Sequence, residues 1–253
     1  MKKHYIIIPV YNNLQMTQNC IESLRISVRE NPSFTMVVVN DGSAYDIAQY
    51  LRAQNDLMYL ENPSNQGYLI TTNKGFEFAL SQSDCQSVVL FNNDMLVSGN
   101  WLELLVNATE HYGITGYFGA GNVNIEDLSH MEVNKLEFSC ALITRAVCEN
   151  VGLLDARFKK GYYSDDDYCL RAIKKGYTIG LVKNRYNAEH LCGATAGEKR
   201  KESIEEGARQ FLQKWQGDNH ESVREFFKTS FYDSKKIMPE NTLVRLLRFL
   251  RCK

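Results

Sequence analysis

The stretch HYIIIPVYNN (residues 4–13) decides the fold. Three consecutive isoleucines among apolar neighbours leave no polar face, which predicts a strand buried on both sides; Pro9 and the pair Asn12-Asn13 then end it in a turn. The same grammar recurs in FTMVVVNDGS (34–43) and CQSVVLFNND (85–94), with LMYLEN (57–62) as a further strand. Between them lie stretches with apolar residues at helical spacing, 14–30, 44–54 and 68–83. Strands that alternate with helices form βαβ units, so the expected fold class is α/β: a mostly parallel sheet flanked by helices. In such a sheet ligands bind beyond the carboxyl ends of the strands, where Tyr11-Asn12-Asn13, Asn40 to Ser43 and Asn92 to Asp94 gather.

Beyond residue 100 the pattern loosens. A helix is expected over 101–112, shorter strand-like pieces in 116–125 and 136–144, and a helix after the latter. The acidic stretch YYSDDDYCLRAIKKGY (162–177) reads as a helix capped by Gly176, and YTIGLV (177–182) as a last strand. This divides the chain into an α/β domain over 1–197 and a helical C-terminal extension over 198–253.

Composition narrows the function. The chain has 253 residues, 44% hydrophobic and 23% charged, and a net charge of -1, so no global positive field favours nucleic acid. Seven scattered cysteines without a C-x-x-C pair argue against a disulfide framework or a structural zinc site and for a reducing compartment. The apolar run before Pro9 is too short for a signal peptide, and no window reaches the roughly 18 apolar residues of a membrane span. A cytoplasmic location is expected. No G-x-G-x-x-G or P-loop follows the first strand, which sets aside standard dinucleotide and Walker-type sites.

Asp165, Asp166 and Asp167 raise a question of their own. Acids in the first turn of a helix are ordinary, because free N–H groups and the helix dipole attract negative charge. Three adjacent carboxylates also repel one another, and capping alone does not require all of them.

The motifs IIIPVYNN, VVVNDGS, NQGYLITTNKG, LFNNDM, VGLLDARFKKGYYSDDDYCLRAIKKGY and HLCGAT occur in that order. Together they resemble the family 2 glycosyltransferases, of GT-A nucleotide-diphospho-sugar transferase fold, and within them a rhamnosyltransferase-like subgroup. The resemblance covers about residues 4–195. It implies an inverting enzyme that moves a sugar, hexosyl or deoxyhexosyl, from a nucleotide-sugar donor to a glycan or lipid-linked acceptor in surface polysaccharide assembly.

Residue by residue, it assigns donor binding to Pro9, Tyr11, Asp41, Asn65, Gly67, Asn73, Asn92 and Asn93. Tyr11 would stack a nucleobase, Asp41 would accept a pyrimidine N–H, and the N-x-G loop over 65–75 would line the nucleotide pocket. Asp94 stands at the family's acidic metal motif, whose first acidic position is Asn92 here, and His190 matches a subgroup element. Those two would hold Mg2+ or Mn2+ against the diphosphate. Aligned on Arg171, Asp165 falls on the catalytic base. Asp167 would bind the acceptor or orient the loop, with Arg171 paired to a carboxylate. Ser164 replaces the usual Glu, and Asp166 is left unconstrained.

Two rival readings come from other classes. A non-catalytic nucleotide-sugar-binding module would explain Asn92 and Ser164. A nucleotidyltransferase would need a Gly-rich basic loop after the first strand, and PVYNNLQMTQ has none. The C-terminal LVRLLRFLRCK (243–253) sets Arg245, Arg248 and Arg251 beside an apolar face. Such a helix can lie on an anionic membrane at its inner face, or pack on the core with its arginines exposed.

Overall fold

The structure is a computed structural model, and it describes residues 2–118, 130–183, 187–191 and 200–226. In chain order the elements are β1 (Lys3–Val10), α1 (Leu14–Ser27), β2 (Phe34–Asn40), α2 (Tyr45–Arg52), β3 (Met58–Glu61), α3 (Tyr68–Ser81), β4 (Cys85–Phe91), β5 (Met95–Val97) and α4 (Trp101–Ala108). There follow β6 (Ile114–Gly116), β7 (His130–Glu132), β8 (Cys140–Thr144), α5 (Arg145–Val151), α6 (Ser164–Lys174), β9 (Ile179–Val182), β10 (Ala188–His190) and α7 (Arg200–Trp215).

Eight strands form one sheet in the order β3-β2-β1-β4-β8-β6-β9-β7. The run from β3 to β4 is parallel, as the repeated apolar runs predict, and so is β6 with β9. β8 enters antiparallel between β4 and β6, and β7 closes the edge antiparallel on β9. The sheet is therefore mixed. The inversion has a use: Phe91 pairs with Cys140, so the start of β8 lies beside the carboxyl end of β4.

The period of two along β1 builds both halves of the core. Tyr5 and Ile7 face one side with Val37 and Val39, packed by Phe76 and Ala79 of α3, Val147 of α5 and Leu170 of α6. Ile6, Ile8 and Val10 face the other with Val38, packed by Ile21 and Leu24 of α1, Leu51 of α2 and Trp101 of α4. Burial of each such side chain contributes about 1.5–3 kcal/mol. α3 comes unusually close to the sheet: a Cβ on Gly75 would stand 2.6 Å from a methyl of Ile7.

Several expectations shift in detail. The helix expected over 101–112 stops at Ala108, and His111 and Tyr112 close a turn on the Ala108 carbonyl. Of the strand-like piece 116–125 only its first residue, at the end of β6, and the two after it are described. Gly176 does lie past the end of α6, with φ 84°. The region after 198 starts as helix, with α7 and a second helical stretch over 221–226. Ala208, Phe211, Trp215, Val223 and Phe226 belong to the same buried cluster as Ile7 and Phe76. The basic stretch 243–253 lies outside the described residues. Among the described residues, no helix is long and apolar enough to cross a membrane, and Cys20, Cys85, Cys140, Cys148 and Cys169 are buried free thiols.

Candidate active site

The turns after β1 and β2 are tied together. The Asn12 N–H donates to Ser43 Oγ at 3.0 Å and the Ala44 N–H to Asn12 Oδ1 at 3.1 Å. Asn12 and Asn13 hold φ of 58° and 57°, left-handed values that asparagine tolerates better than most residues. Pro9 is buried in the sheet opposite Val39, and the pairing of β1 with β4 ends before it, at Ile7. Tyr11 lies beyond the strand with 48% of its surface exposed.

Asp41 organises the next loop. Its Oδ1 accepts from Asn62 Nδ2 at 2.9 Å and the Gln66 N–H at 2.8 Å, and its Oδ2 accepts the Gly67 N–H at 2.9 Å. A carboxylate offers about four acceptor sites, so one remains for a ligand. The turn packs so tightly on this loop that a Cβ on Gly42 would stand 2.7 Å from the Ser64 backbone, and its φ of +68° disfavours any other residue. Asn65 is exposed on the loop.

Asn73 lies inside α3, within the helix expected over 68–83, where Nδ2 donates to the Leu154 carbonyl at 2.8 Å and Oδ1 accepts the Leu154 N–H at 3.0 Å. The second N-x-G is thus helical: its asparagine braces the loop before α6, and its glycine lets α3 approach the sheet.

At the end of β4 the three polar residues face different ways. Asn93 is buried, with Nδ2 donating to Thr17 Oγ1 of α1 at 3.1 Å. Asn92 Oδ1 accepts from the Tyr68 hydroxyl at 3.2 Å, and the Asn92 N–H donates to the Ser139 carbonyl at 2.9 Å. Asp94 meets His190 because β5 pairs with β10, setting His190 opposite Met95, and because the Leu191 N–H donates to the Asp94 carbonyl at 3.0 Å. His190 Nε2 stands 3.1 Å from Asp94 Oδ1, yet among the described residues that buried oxygen accepts no hydrogen bond.

A buried carboxylate oxygen without a donor, facing an imidazole nitrogen, fits half of a divalent-cation site. No group of three or more His, Cys, Asp or Glu suited to a metal occurs among the described residues. A cation here would therefore need oxygens from a ligand and water.

The three aspartates have three environments. Asp167 is fully buried, with Arg171 Nε at 2.9 Å, Lys214 Nζ at 2.6 Å and Trp215 Nε1 at 3.0 Å. Arg171 also donates to the Val151 and Leu153 carbonyls, and Lys214 pairs with Asp155. These contacts tie the first turn of α6 to the 151–153 backbone and to α7. Asp166 departs from its unconstrained assignment: it is largely buried and pairs with Lys135 at 3.2 Å. Asp165 Oδ1 accepts the Asp166 N–H at 2.9 Å, a capping contact. Burial, then the charges of Asp166 and Glu137, push its carboxyl well above the usual range, against the pull of that N–H and of Lys135. Tyr163, just before α6, holds φ 66°, a strained value for an aromatic residue that aims this first turn.

Breaking the buried Asp167 cluster leaves Arg171 without a carboxylate and Lys214 with Asp155 alone, and removing one partner of such a buried pair costs about 3–5 kcal/mol. Asp167→Ala is expected to lower Tm by roughly 6–20 °C, at about 2–4 °C per kcal/mol for a chain of this size. A shift under about 2 °C in thermal unfolding would show the cluster to be dispensable.

Sequence reading missed Tyr68, Lys135 and Ser139. Burial and then the charge of Asp165 hold the Tyr68 hydroxyl far above its ordinary pKa, with Asp94 adding a smaller push, so this phenol lies within the fields of the candidate base and the candidate metal residue. Ser139 keeps a buried Oγ without a hydrogen-bond partner among the described residues, beside Asn92. An aromatic directly after N-x-G was the one signal for Tyr68; nothing in the local sequence marks the other two.

The family model described as Glycosyl transferase family 2 matches residues 5–178. The low-salt glycan biosynthesis hexosyltransferase Agl10 of Haloferax volcanii is 22% identical over 170 residues, 57% of this chain and 55% of that protein. An uncharacterized glycosyltransferase of Rickettsia bellii is 31% identical over 108 residues, 42% of this chain and 15% of that protein. The chain thus spans about half the length of the first relative and a small part of the second.

Among solved structures, the mannosyltransferase PcManGT of Pyrobaculum calidifontis, in complex with GDP-Man and Mn2+, matches with TM-score 0.62 and 12% identity over 98% of this chain and 79% of that one. S. aureus TarS 1–349 in complex with UDP matches with TM-score 0.60 and 18% identity over 93% and 73%. At these identities the likeness establishes the GT-A fold. With the family model matched over more than half of its length, the chain belongs to glycosyltransferase family 2.

Proposed function

We propose that the chain transfers a sugar from a nucleoside-diphosphate donor to a hydroxyl of a glycan or glycolipid acceptor, with inversion at the anomeric carbon, in the assembly of a surface polysaccharide. The observation that carries this reading is the meeting of four parts beyond the carboxyl ends of β1, β2 and β4: the Tyr11 and Asp41 turns, the Asp94–His190 pair, Tyr68, and the raised carboxyl of Asp165.

In this reading Tyr11 stacks the nucleobase, a contact worth about 1–3 kcal/mol, and the free acceptor site of Asp41 takes its N–H. Gly67 and Asn65 line the nucleotide side of the loop. Asn92 and Tyr68 face the sugar. Asp94 and His190 would hold Mg2+ or Mn2+, which neutralises charge on the departing diphosphate. A structural neighbour solved with Mn2+ and GDP-Man supports the choice of ion.

Asp165 takes the proton from the acceptor hydroxyl as that oxygen bonds to the anomeric carbon. The bond from that carbon to the diphosphate breaks, and the nucleoside diphosphate leaves with the electron pair. A single displacement from the opposite face inverts the configuration. Pro9, Asn73, Asn93 and Asp167 serve by holding these parts in place.

The test is a panel of UDP-, GDP- and dTDP-sugars with Mn2+, read by thermal stabilisation and by release of nucleoside diphosphate. One or a few donors are expected to stabilise the chain and to be turned over, with NMR showing the inverted anomer in the product. Stabilisation without any turnover would favour the binding-module alternative, and a retained anomer would overturn the single displacement.

A further inference from the structure

Asp165 is surrounded mainly by groups that oppose its charge. Asp166 on its own helix and Glu137 from the stretch before β8 are negative; Tyr68 of α3 and Tyr163, just before α6, are neutral phenols. Lys135, on the same stretch as Glu137, is the cation among them. Its ammonium stands 3.2 Å from Asp166 Oδ1, with 23% of the lysine and 14% of the aspartate side chain exposed. Asp166 is also the neighbour of the base, its N–H donating to Asp165 Oδ1 at 2.9 Å, so the ammonium held on its carboxylate acts on Asp165 through space. Burial disfavours the charge on Lys135, but Asp166 and then Asp165 outweigh it and raise its pKa.

Lys135 reaches a turn that carries Asp165 and Asp166 side by side, and both act on its charge. We propose that Lys135 is a positioning residue: clamped by Asp166, it sets a positive charge against the base and keeps that carboxylate charged for proton uptake. The inference rests on the reading of Asp165 as the base.

The test uses the full chain with saturating donor and Mn2+, and compares kcat/KM against pH for wild type, Lys135→Met, Lys135→Arg and Asp166→Asn. Removing the cation is expected to move the acid limb of Lys135→Met up by about one pH unit, which is about a tenfold loss at a pH on the limb and recovery at higher pH. Lys135→Arg restores the limb close to its wild-type position. Asp166→Asn removes a like charge and moves the limb down, the opposite direction.

A pH-independent loss in Lys135→Met, or an acid limb that stays in place in it, overturns the inference and leaves Lys135 a packing residue. If Lys135→Met fails to fold, Lys135→Gln and then Lys135→Ala take its place, read by the same acid limb. Asp165→Asn in the same series separates the two ideas: near-normal turnover there removes the base assignment itself, whereas a crippled Asp165→Asn with an unmoved limb in Lys135→Met removes only the role of Lys135.

Discussion

Asp165→Asn is expected to lower the rate of sugar transfer by about 10²–10⁴-fold while nucleotide-sugar binding changes little. A general base acts in the transition state, so its loss falls on kcat rather than on donor affinity. The environment of Asp165 adds a second readout. A carboxyl whose folded pKa is raised contributes stability below its unfolded value, about 3.9, and that stability is lost as pH rises through the raised value. Once pH has risen past the ordinary carboxylate range, an acid in this place therefore costs the fold stability, and asparagine removes that cost while keeping the contact to the Asp166 N–H. The variant should be slower and, at neutral pH, at least as heat-stable as wild type. The same shift places the acid limb of the wild-type rate profile above the ordinary carboxylate range. If Asp165→Asn transfers at near-normal rate, Asp165 only caps α6. If Asp166→Asn is the crippled variant instead, the base lies one residue later.

Asp94→Ala is expected to reduce donor turnover by about 10³-fold or more, with the fold intact. Charge on a departing diphosphate is worth several kcal/mol to a bound cation, and each 1.36 kcal/mol is a factor of ten in rate. Because the chain supplies only Asp94 and His190 among the described residues, the ion should bind weakly without donor and more tightly with it. Excess EDTA should abolish turnover, and added Mn2+ or Mg2+ should restore it. Calorimetric titration of Mn2+ with and without nucleoside diphosphate checks the coupling. Full activity in EDTA would remove the metal from the scheme.

Much of this was legible in the sequence because it depends on local pattern. An apolar run such as IIIPV is satisfied only by a strand covered on both faces, and an Asn-Asn or Asp-Gly pair ends it wherever it lies. That suffices for the alternation of strands and helices, for the three polar turns at the carboxyl ends of β1, β2 and β4, and for an acidic first turn on α6. The sequence leaves open which carboxylate Arg171 takes, and the structure gives it Asp167, four residues before it on the same helix face.

What depended on distant chain segments was decided by tertiary structure. β8 runs antiparallel, and no local pattern records the direction of a neighbour. Asn73 reads as a pocket residue until the Leu154 backbone is seen against it. Asp94 and His190 meet through the pairing of β5 with β10. Three adjacent aspartates are identical in sequence, and they become a candidate base, a lysine clamp and a buried anchor because Glu137, Lys135 and the Lys214–Trp215 end of α7 approach them from elsewhere. Charge and burial act through space over a few ångströms, so the role of each carboxylate is set by what the fold packs against it.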